Sequence, residues 1–278
     1  MQFTCRKATR EDLPRLAEIE KKSVSGGYYL VDCYDEFLDP ARGELVVGVD
    51  ENGVPQGFGH VALLHDGSAW LECLRVDPAA QKMGCGAAMW VRFVSYCKEK
   101  GCSHLGMFTG AKNYPSKVLA ERNGLHLDYT SREGHLLRED APQVSLPQGW
   151  TRLTDPAAIE QAMLPHQKDY EGYLSLNRTY MRCTGKLYEY LAEKQQVWVK
   201  EGSVVVLGAR FLPERALFIG WAAGDLEECA ALAVAKFLET GLPKLTCICS
   251  SQNTALMAAL EKQGFTFPAE LIVMERDF

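Results

Sequence analysis

Two stretches of this chain lie over each other without a gap, and no other feature of the sequence limits its architecture as much. Residues 101–125, GCSHLGMFTGAKNYPSKVLAERNGL, align with residues 241–265, GLPKLTCICSSQNTALMAALEKQGF. Gly101, Leu105, Asn113, Glu121 and Gly124 meet Gly241, Leu245, Asn253, Glu261 and Gly264. Each copy reads as a glycine ending one helix, a short apolar strand, an asparagine in the turn, a helix, and a second glycine. Agreement of element order on top of the identities predicts a tandem repeat of one domain. The stretch REDAPQVSLPQGW from Arg138 mixes charge with Pro142, Pro147 and Gly149, which is a linker composition. The chain restarts at WTRLTDPAAIEQAM much as it begins at FTCRKATREDLPRLAEI, with a strand, a Thr or Asp cap and a helix. The expected division is a first domain over 1–138, a linker over 139–149 and a second domain over 150–278.

With 278 residues, 47% of them hydrophobic, there is material for a sizeable core in a soluble protein. A formal charge of −6 and the lack of any long Lys/Arg cluster argue against nucleic acid and anionic membrane as partners. No apolar run is long enough for a bilayer span and the start MQFTCRKATREDLPRL has no signal-peptide pattern, so a cytoplasmic location is expected. The ten cysteines, among them Cys73, Cys97, Cys229 and Cys247, are scattered through apolar stretches without CxxC spacing. They read as buried thiols, and no metal site is expected. The six histidines show no paired spacing and read as structural or surface residues.

The segment LECLRVDPAAQKMGCGAAMW, residues 71–90, carries the chemistry. Strand alternation puts Glu72, Leu74 and Val76 on one face and Leu71, Cys73 and Arg75 on the other, and Pro78 ends the strand. A helix from about Ala87 has Met89, Trp90, Phe93, Val94 and Cys97 at helical spacing and stops at Gly101. The loop between them, Asp77 to Gly86, contains Gly84 and Gly86. These allow consecutive N–H groups to converge on one anion at the helix start, as a phosphate or pyrophosphate would require. A strand-to-helix turn without a ligand is the alternative on the glycines alone. The loop is not a P-loop, and it is one glycine short of the dinucleotide fingerprint.

QKMGCG resembles the Q/R-x-x-G-x-G/A loop of the GNAT superfamily of acyl-CoA-dependent N-acyltransferases, with LRVDP preceding it at the family's distance. NYPSKVLAERNGL is similar to the family's N-x-x-A-x-x-L-Y-x-x-x-G-F helix, so the two motifs together cover residues 71–125. The resemblance implies an α/β (α+β) protein of tandem GNAT folds, each a twisted mixed sheet flanked by helices, the second degenerate. It implies acetyl-CoA as co-substrate, its pyrophosphate on the backbone of Gln81, Lys82, Met83, Gly84, Cys85, Gly86 and Ala87. Its pantetheine arm would lie along Leu74, Arg75 and Val76, and Asn113 would contact the same molecule. An N–H near Leu74 or Val76 would stabilise the oxyanion formed when the amine attacks.

The amine needs a base, and Glu72, ionisable in an otherwise apolar strand, is the candidate. The alternative is a carboxylate satisfied by a neighbouring Arg or exposed at the strand edge. The family's usual general-acid Tyr is replaced by Ala120, which leaves Tyr114, Ser116 or water to protonate the leaving thiolate. GGYYLVDCYDEFLDP, residues 26–40, lies where the family places acceptor-binding helices. There Tyr28, Tyr29, Asp32 and Asp35 would flank an ammonium, or would simply form an amphipathic helix surface. The expected activity is N-acetylation of a primary amine of a small molecule or amino acid by a monomer or homodimer, with catalysis in the first copy. The alternatives are a CoA-binding or interaction module without catalysis, and a protein or peptide N-acetyltransferase. The second copy is expected to bind no acetyl-CoA: LFIGW passes through only AAGDL before its helix, and Asp225, Glu227 and Glu228 crowd the helix start.

Overall fold

The computed structural model describes residues 2–278. They form two compact units: one runs to Phe108 and adds Tyr114–His126 and Met274–Phe278, and the other consists of Thr109–Asn113 and Leu127–Val273.

The first unit opens with β1 (Thr4–Lys7), after which Thr9 and Asp12 form a capping box and Arg6 holds Asp12 at 2.7 Å. Helices α1 (Leu13–Ser23) and α2 (Leu30–Leu38) follow. The buried face of α1 is Leu16, Ile19 and Glu20, at helical spacing, and that of α2 is Leu30, Cys33, Tyr34 and Phe37. Strands β2 (Gly43–Val49), β3 (Pro55–Leu63) and β4 (Ala69–Val76) make an antiparallel meander. Helix α3 (Cys85–Glu99) then crosses over to β5 (His104–Gly110), which runs parallel to β4, and α4 (Tyr114–Arg122) closes the series. The strand order is β1-β2-β3-β4-β5. Successive β3 residues point to opposite faces, and their neighbours identify the covering helices. His60 stacks on Phe37 of α2, whereas a side chain at Gly59 would meet the Phe93 ring of α3 at 2.7 Å.

The second unit repeats the plan with β6 (His126–Leu137), β7 (Thr151–Leu153), α5 (Pro156–Met163), the hairpin β8 (Tyr173–Leu176) and β9 (Thr179–Arg182), and α6 (Gly185–Glu193). It continues through β10 (Val197–Lys200), β11 (Ser203–Gly208), β12 (Leu217–Ala223), α7 (Leu226–Thr240), β13 (Lys244–Ser250), α8 (Thr254–Glu261) and β14 (Thr266–Asp277). From β6 the order is β13-β12-β11-β10-β7, with β12 and β13 parallel. Each unit therefore has a mixed sheet that contains a parallel pair.

The alignment of 101–125 with 241–265 extends to the following strands without a gap: β6 matches β14 over its whole length. The two matched strands nevertheless separate, because Leu127–Leu137 belongs to the second unit and the end of β14 to the first. Within the first unit Phe278 N donates to Ser103 O at 3.2 Å, Arg276 Nη1 donates to Asn123 O at 2.7 Å, and His104 lies 2.9 Å from Glu275 and 3.1 Å from Asp277. The compact units thus differ from a division at residue 138. Two strands of equal length and equal place in a repeat offer the same backbone pairing, and nothing local in either sequence ties it to its own copy. Residues 141–150 contain neither helix nor strand.

Candidate active site

The site begins with an irregularity in β4. His60 pairs with Glu72 and Phe58 with Arg75, so Cys73 and Leu74 together oppose Gly59. Cys73 sits at φ +49°, and this β-bulge breaks the strand's alternation. Glu72, Leu74 and Val76 consequently do not share a face. Glu72 pairs with His60 beneath α2, and Cys73 lies within electrostatic reach of Glu72, Arg75, Glu20 and Cys33. Leu74 instead packs toward α3, its Cδ1 3.4 Å from where a side chain at Gly59 would begin.

The bulge coincides with a fork. Strands β4 and β5 pair only over Ala69–Leu71 and Leu105–Met107. Beyond that, Val76 O accepts from Ser23 Oγ at 3.1 Å and from Gln81 Nε2 at 3.2 Å, and Leu74 O accepts from the Arg75 guanidinium at 3.0 Å. Backbone polar groups that another strand would take in a closed sheet are here met by side chains, which leaves an edge suited to an added, strand-like ligand.

The loop after Val76 is built from its own caps. The Asp77 carboxylate accepts from Ala79 N at 3.0 Å and faces Arg15 at 2.8 Å and Lys22 at 3.8 Å. Burial alone would raise its pKa, but the Ala79 N–H and Arg15 outweigh that and hold it below the usual carboxylate range. Gln81, Lys82, Met83 and Gly84 are exposed, with Lys82 at φ +62° and Gly84 at φ +103°. A side chain at Gly84 would find nothing within 4 Å, so the glycine is required by its backbone angle and by the open space before it. Helix α3 starts at Cys85, two residues before the expected Ala87, and Gly86 lies inside it. The absence of a side chain at Gly86 admits Leu119 of α4, which a Cβ would meet at 3.3 Å. Cys85 is buried and burial pushes its thiol up to about 12, so it offers the loop only its backbone N–H. The first N–H groups of α3 thus open on an exposed, glycine-bearing loop carrying Lys82, an arrangement that fits a pyrophosphate.

Around Glu72 the structure gathers groups from three elements. His60 Nδ1 lies 2.9 Å from Glu72 Oε1, and the imidazole stacks on Phe37 with centroids 4.1 Å apart. Tyr29, half-buried at the start of α2, meets Phe37 edge-on at 6.4 Å and feels Cys73, Glu72 and Arg75. Burial raises its phenol well above the usual range, so it is a neutral hydroxyl. Glu20 of α1 accepts the backbone N–H groups of Tyr29 and Leu30 at 3.2 and 3.3 Å and fixes the start of α2. Tyr28 and Asp32 lie at the exposed end of this group, while Asp35 forms a surface ion pair with Arg10 at 2.6 Å. His60 has no signal in sequence spacing. Only the β3–β4 register brings it to Glu72.

Tyr114 is exposed and Ser116 half-buried in the first turn of α4, whereas Ala120 is fully buried. Asn113 is exposed and belongs to the second unit, as part of Thr109–Asn113.

The matching region of the second unit borders a cavity of about 470 Å³, lined by Ala222, Ala223, Gly224, Leu226 and Asn253, but it lacks the loop. Only Gly224 and Asp225 separate β12 from α7, and the Asp225 carboxylate occupies the N–H groups of Glu227 and Glu228 at 3.1 Å. Tyr170, stacked on Trp221 at 3.9 Å, uses its hydroxyl to donate to Ala222 O and accept from Ala222 N, both at 2.7 Å. A tyrosine fills the strand edge that β4 leaves open.

Among the described residues no helix is long and apolar enough to cross a membrane. Residues 11–125 match the model of the acetyltransferase (GNAT) family. Among solved structures, a GCN5-related N-acetyltransferase from Sphaerobacter thermophilus aligns with a TM-score of 0.69 at 13% identity, covering 99% of this chain and 95% of that one. A tandem GNAT protein from the clavulanic acid biosynthesis pathway gives 0.64 at 14% identity, with 99% and 98% covered. A glucosamine N-acetyltransferase region of a fungal multi-domain β-N-acetylglucosaminidase gives 0.71 at 13% identity, with 99% of this chain and 38% of that one covered. A search of curated protein sequences finds no match. At these identities the structural matches speak for the fold, and the family match for the chemistry. Residues 11–125 form an acetyltransferase domain of the GNAT family, in a chain whose fold aligns over nearly its whole length with a tandem GNAT protein.

Proposed function

We propose that the first unit transfers an acetyl group from acetyl-CoA to a primary amine of a small molecule or amino acid. The observation that carries this reading is the buried Glu72 placed beside the bulge at which the β4 edge opens. Acetyl-CoA supplies an acetyl group activated as a thioester. In this reading the amides of the Gln81–Ala87 segment bind its pyrophosphate and the β4 edge from Leu74 to Val76 aligns its arm. Glu72 takes the proton of the acceptor ammonium, directly or through water. An N–H of Leu74 or Val76 stabilises the negative charge that develops on the carbonyl oxygen. The acceptor is held between Tyr29 and Glu72, with Tyr28 and Asp32 at the rim. Tyr114 or Ser116 of α4 provides a hydroxyl for the departing thiol.

Release of free CoA thiol, followed with a panel of amines, amino acids and short peptides, tests the proposal. The expected result is turnover with a small amine or amino acid, lowered about 10²- to 10⁴-fold by Glu72→Gln with acetyl-CoA affinity retained. Turnover restricted to peptides, no turnover at all, or a fully active Glu72→Gln variant would overturn it.

A further inference from the structure

Glu72 has a buried companion that the chemistry above does not use. His60 is 2% exposed, its Nδ1 lies 2.9 Å from Glu72 Oε1, and its ring stacks on Phe37 at an interplanar angle of 14°. Its other nitrogen, Nε2, is buried against Gly43 with no hydrogen-bond partner, 2.9 Å from where a side chain on Gly43 would begin. These contacts decide how the imidazole is protonated. A proton on Nε2 would bury a donor that nothing receives, whereas a bare lone pair there costs less, and a proton on Nδ1 is taken by the carboxylate. Nδ1–H donating to Glu72 is therefore the favoured form.

We infer that His60 is a positioning residue for Glu72: a neutral imidazole, clamped between Phe37 and the β2 backbone, that holds Oε1 and so orients the carboxylate toward the acceptor amine. This inference rests on the reading of Glu72 as the base. Glu72 stands next to Cys73 at φ +49°, and His60 is its cross-strand neighbour in the β3–β4 register. Other groups facing Glu72 are Tyr29 from the start of α2 and Cys73 and Arg75 from β4, with Glu20 of α1 and Cys33 of α2 behind Cys73. Of these, the phenol of Tyr29 and the thiol of Cys73 are kept neutral by burial. His60 is thus the neutral donor seated on Glu72 by geometry.

Two substitutions separate positioning from packing. His60→Phe keeps an aromatic ring on Phe37 and removes the donor, while His60→Asn keeps a donor and removes the stack. Losing a hydrogen bond to a charged carboxylate should raise the pKa of Glu72 by about one unit. The acid limb of kcat/KM, which rises with pH as Glu72 loses its proton, should then move up by that amount in His60→Phe. kcat should fall roughly tenfold from lost orientation, with the acetyl-CoA affinity measured by calorimetry unchanged. His60→Asn should restore the limb to its original place even where it melts at a lower temperature. Nitrogen NMR of 15N-histidine-labelled protein should show His60 as the neutral Nδ1–H tautomer; any other state overturns the inference. An unmoved acid limb in His60→Phe, or a limb in His60→Asn that follows stability instead of donor chemistry, also overturns it. The Glu72→Gln background keeps the two readings apart: if Glu72→Gln itself retains turnover, the base assignment fails. If it loses turnover while His60→Phe leaves the limb in place, only the role of His60 fails.

Discussion

Gly84 gives the sharpest test of the loop. It sits at φ +103°, and a Cβ added there would touch nothing within 4 Å, so Gly84→Ala meets no clash and its direct cost is backbone strain of about 1–3 kcal/mol. The loop can relieve that strain only by turning its amides. Each N–H withdrawn from a charged phosphate oxygen costs about 1.5–3 kcal/mol, or roughly ten- to a hundredfold in affinity. Gly84→Glu keeps the strain and adds a carboxylate. At about 5 Å from one phosphate charge, with an effective dielectric constant of about 20, repulsion adds about 3 kcal/mol, a further hundredfold or so. Calorimetric titration with acetyl-CoA at low and high salt distinguishes the two contributions, because salt screens the charge and leaves the strain. We expect Ala to weaken binding at both salts, and Glu to weaken it far more at low salt than at high. Both proteins should still melt cooperatively. A Glu variant that binds within about threefold of the parent would refute the assignment, since no geometry with the pyrophosphate at this loop avoids both costs. Equal losses in Ala and Glu at both salts would refute the electrostatic part.

Two further outcomes follow from the second unit and from the last strand. Titration of the full chain with acetyl-CoA should give one site, lost on Gly84→Glu. Tyr170→Ala, which frees the β12 edge, should not create another, because Asp225, Glu227 and Glu228 remain at the start of α7; two independent sites would overturn this. His104→Phe should destabilise the first unit by about 1–3 kcal/mol, read as a lowered melting temperature, because Glu275 is 8% exposed and loses its 2.9 Å contact with His104. An unchanged melting temperature would show that the carboxylate reaches water by other means.

Much of this was legible in the residues. Five aligned identities with a shared element order predict the repeat, and the structure extends it through β6 and β14. The stripe Met89, Trp90, Phe93 and Cys97 predicts α3 because burial on one helical face leaves a period that survives in one dimension. What was not legible depends on partners distant in sequence. The bulge at Cys73 is invisible to alternation, which assumes every residue has extended angles, so Glu72 was expected to share a face with Leu74. His60 reads as an isolated histidine until the β3–β4 register carries it to Glu72. Gly86 reads as part of the loop because a glycine near a helix start suggests a turn, while here it makes room for Leu119. That the end of β14 completes the first unit could not be read at all, since the repeat makes β6 and β14 equivalent in sequence.

That placement has a consequence for how the protein is made. The segment that completes the first unit, Met274–Phe278, follows the whole of Leu127–Val273 in the order of synthesis. At translation rates of about 5–20 residues per second, the first unit waits on the order of ten seconds for Met274–Phe278. Throughout that interval its matching strand β6 has already emerged. The first unit can therefore close fully only after every residue of the second has been made.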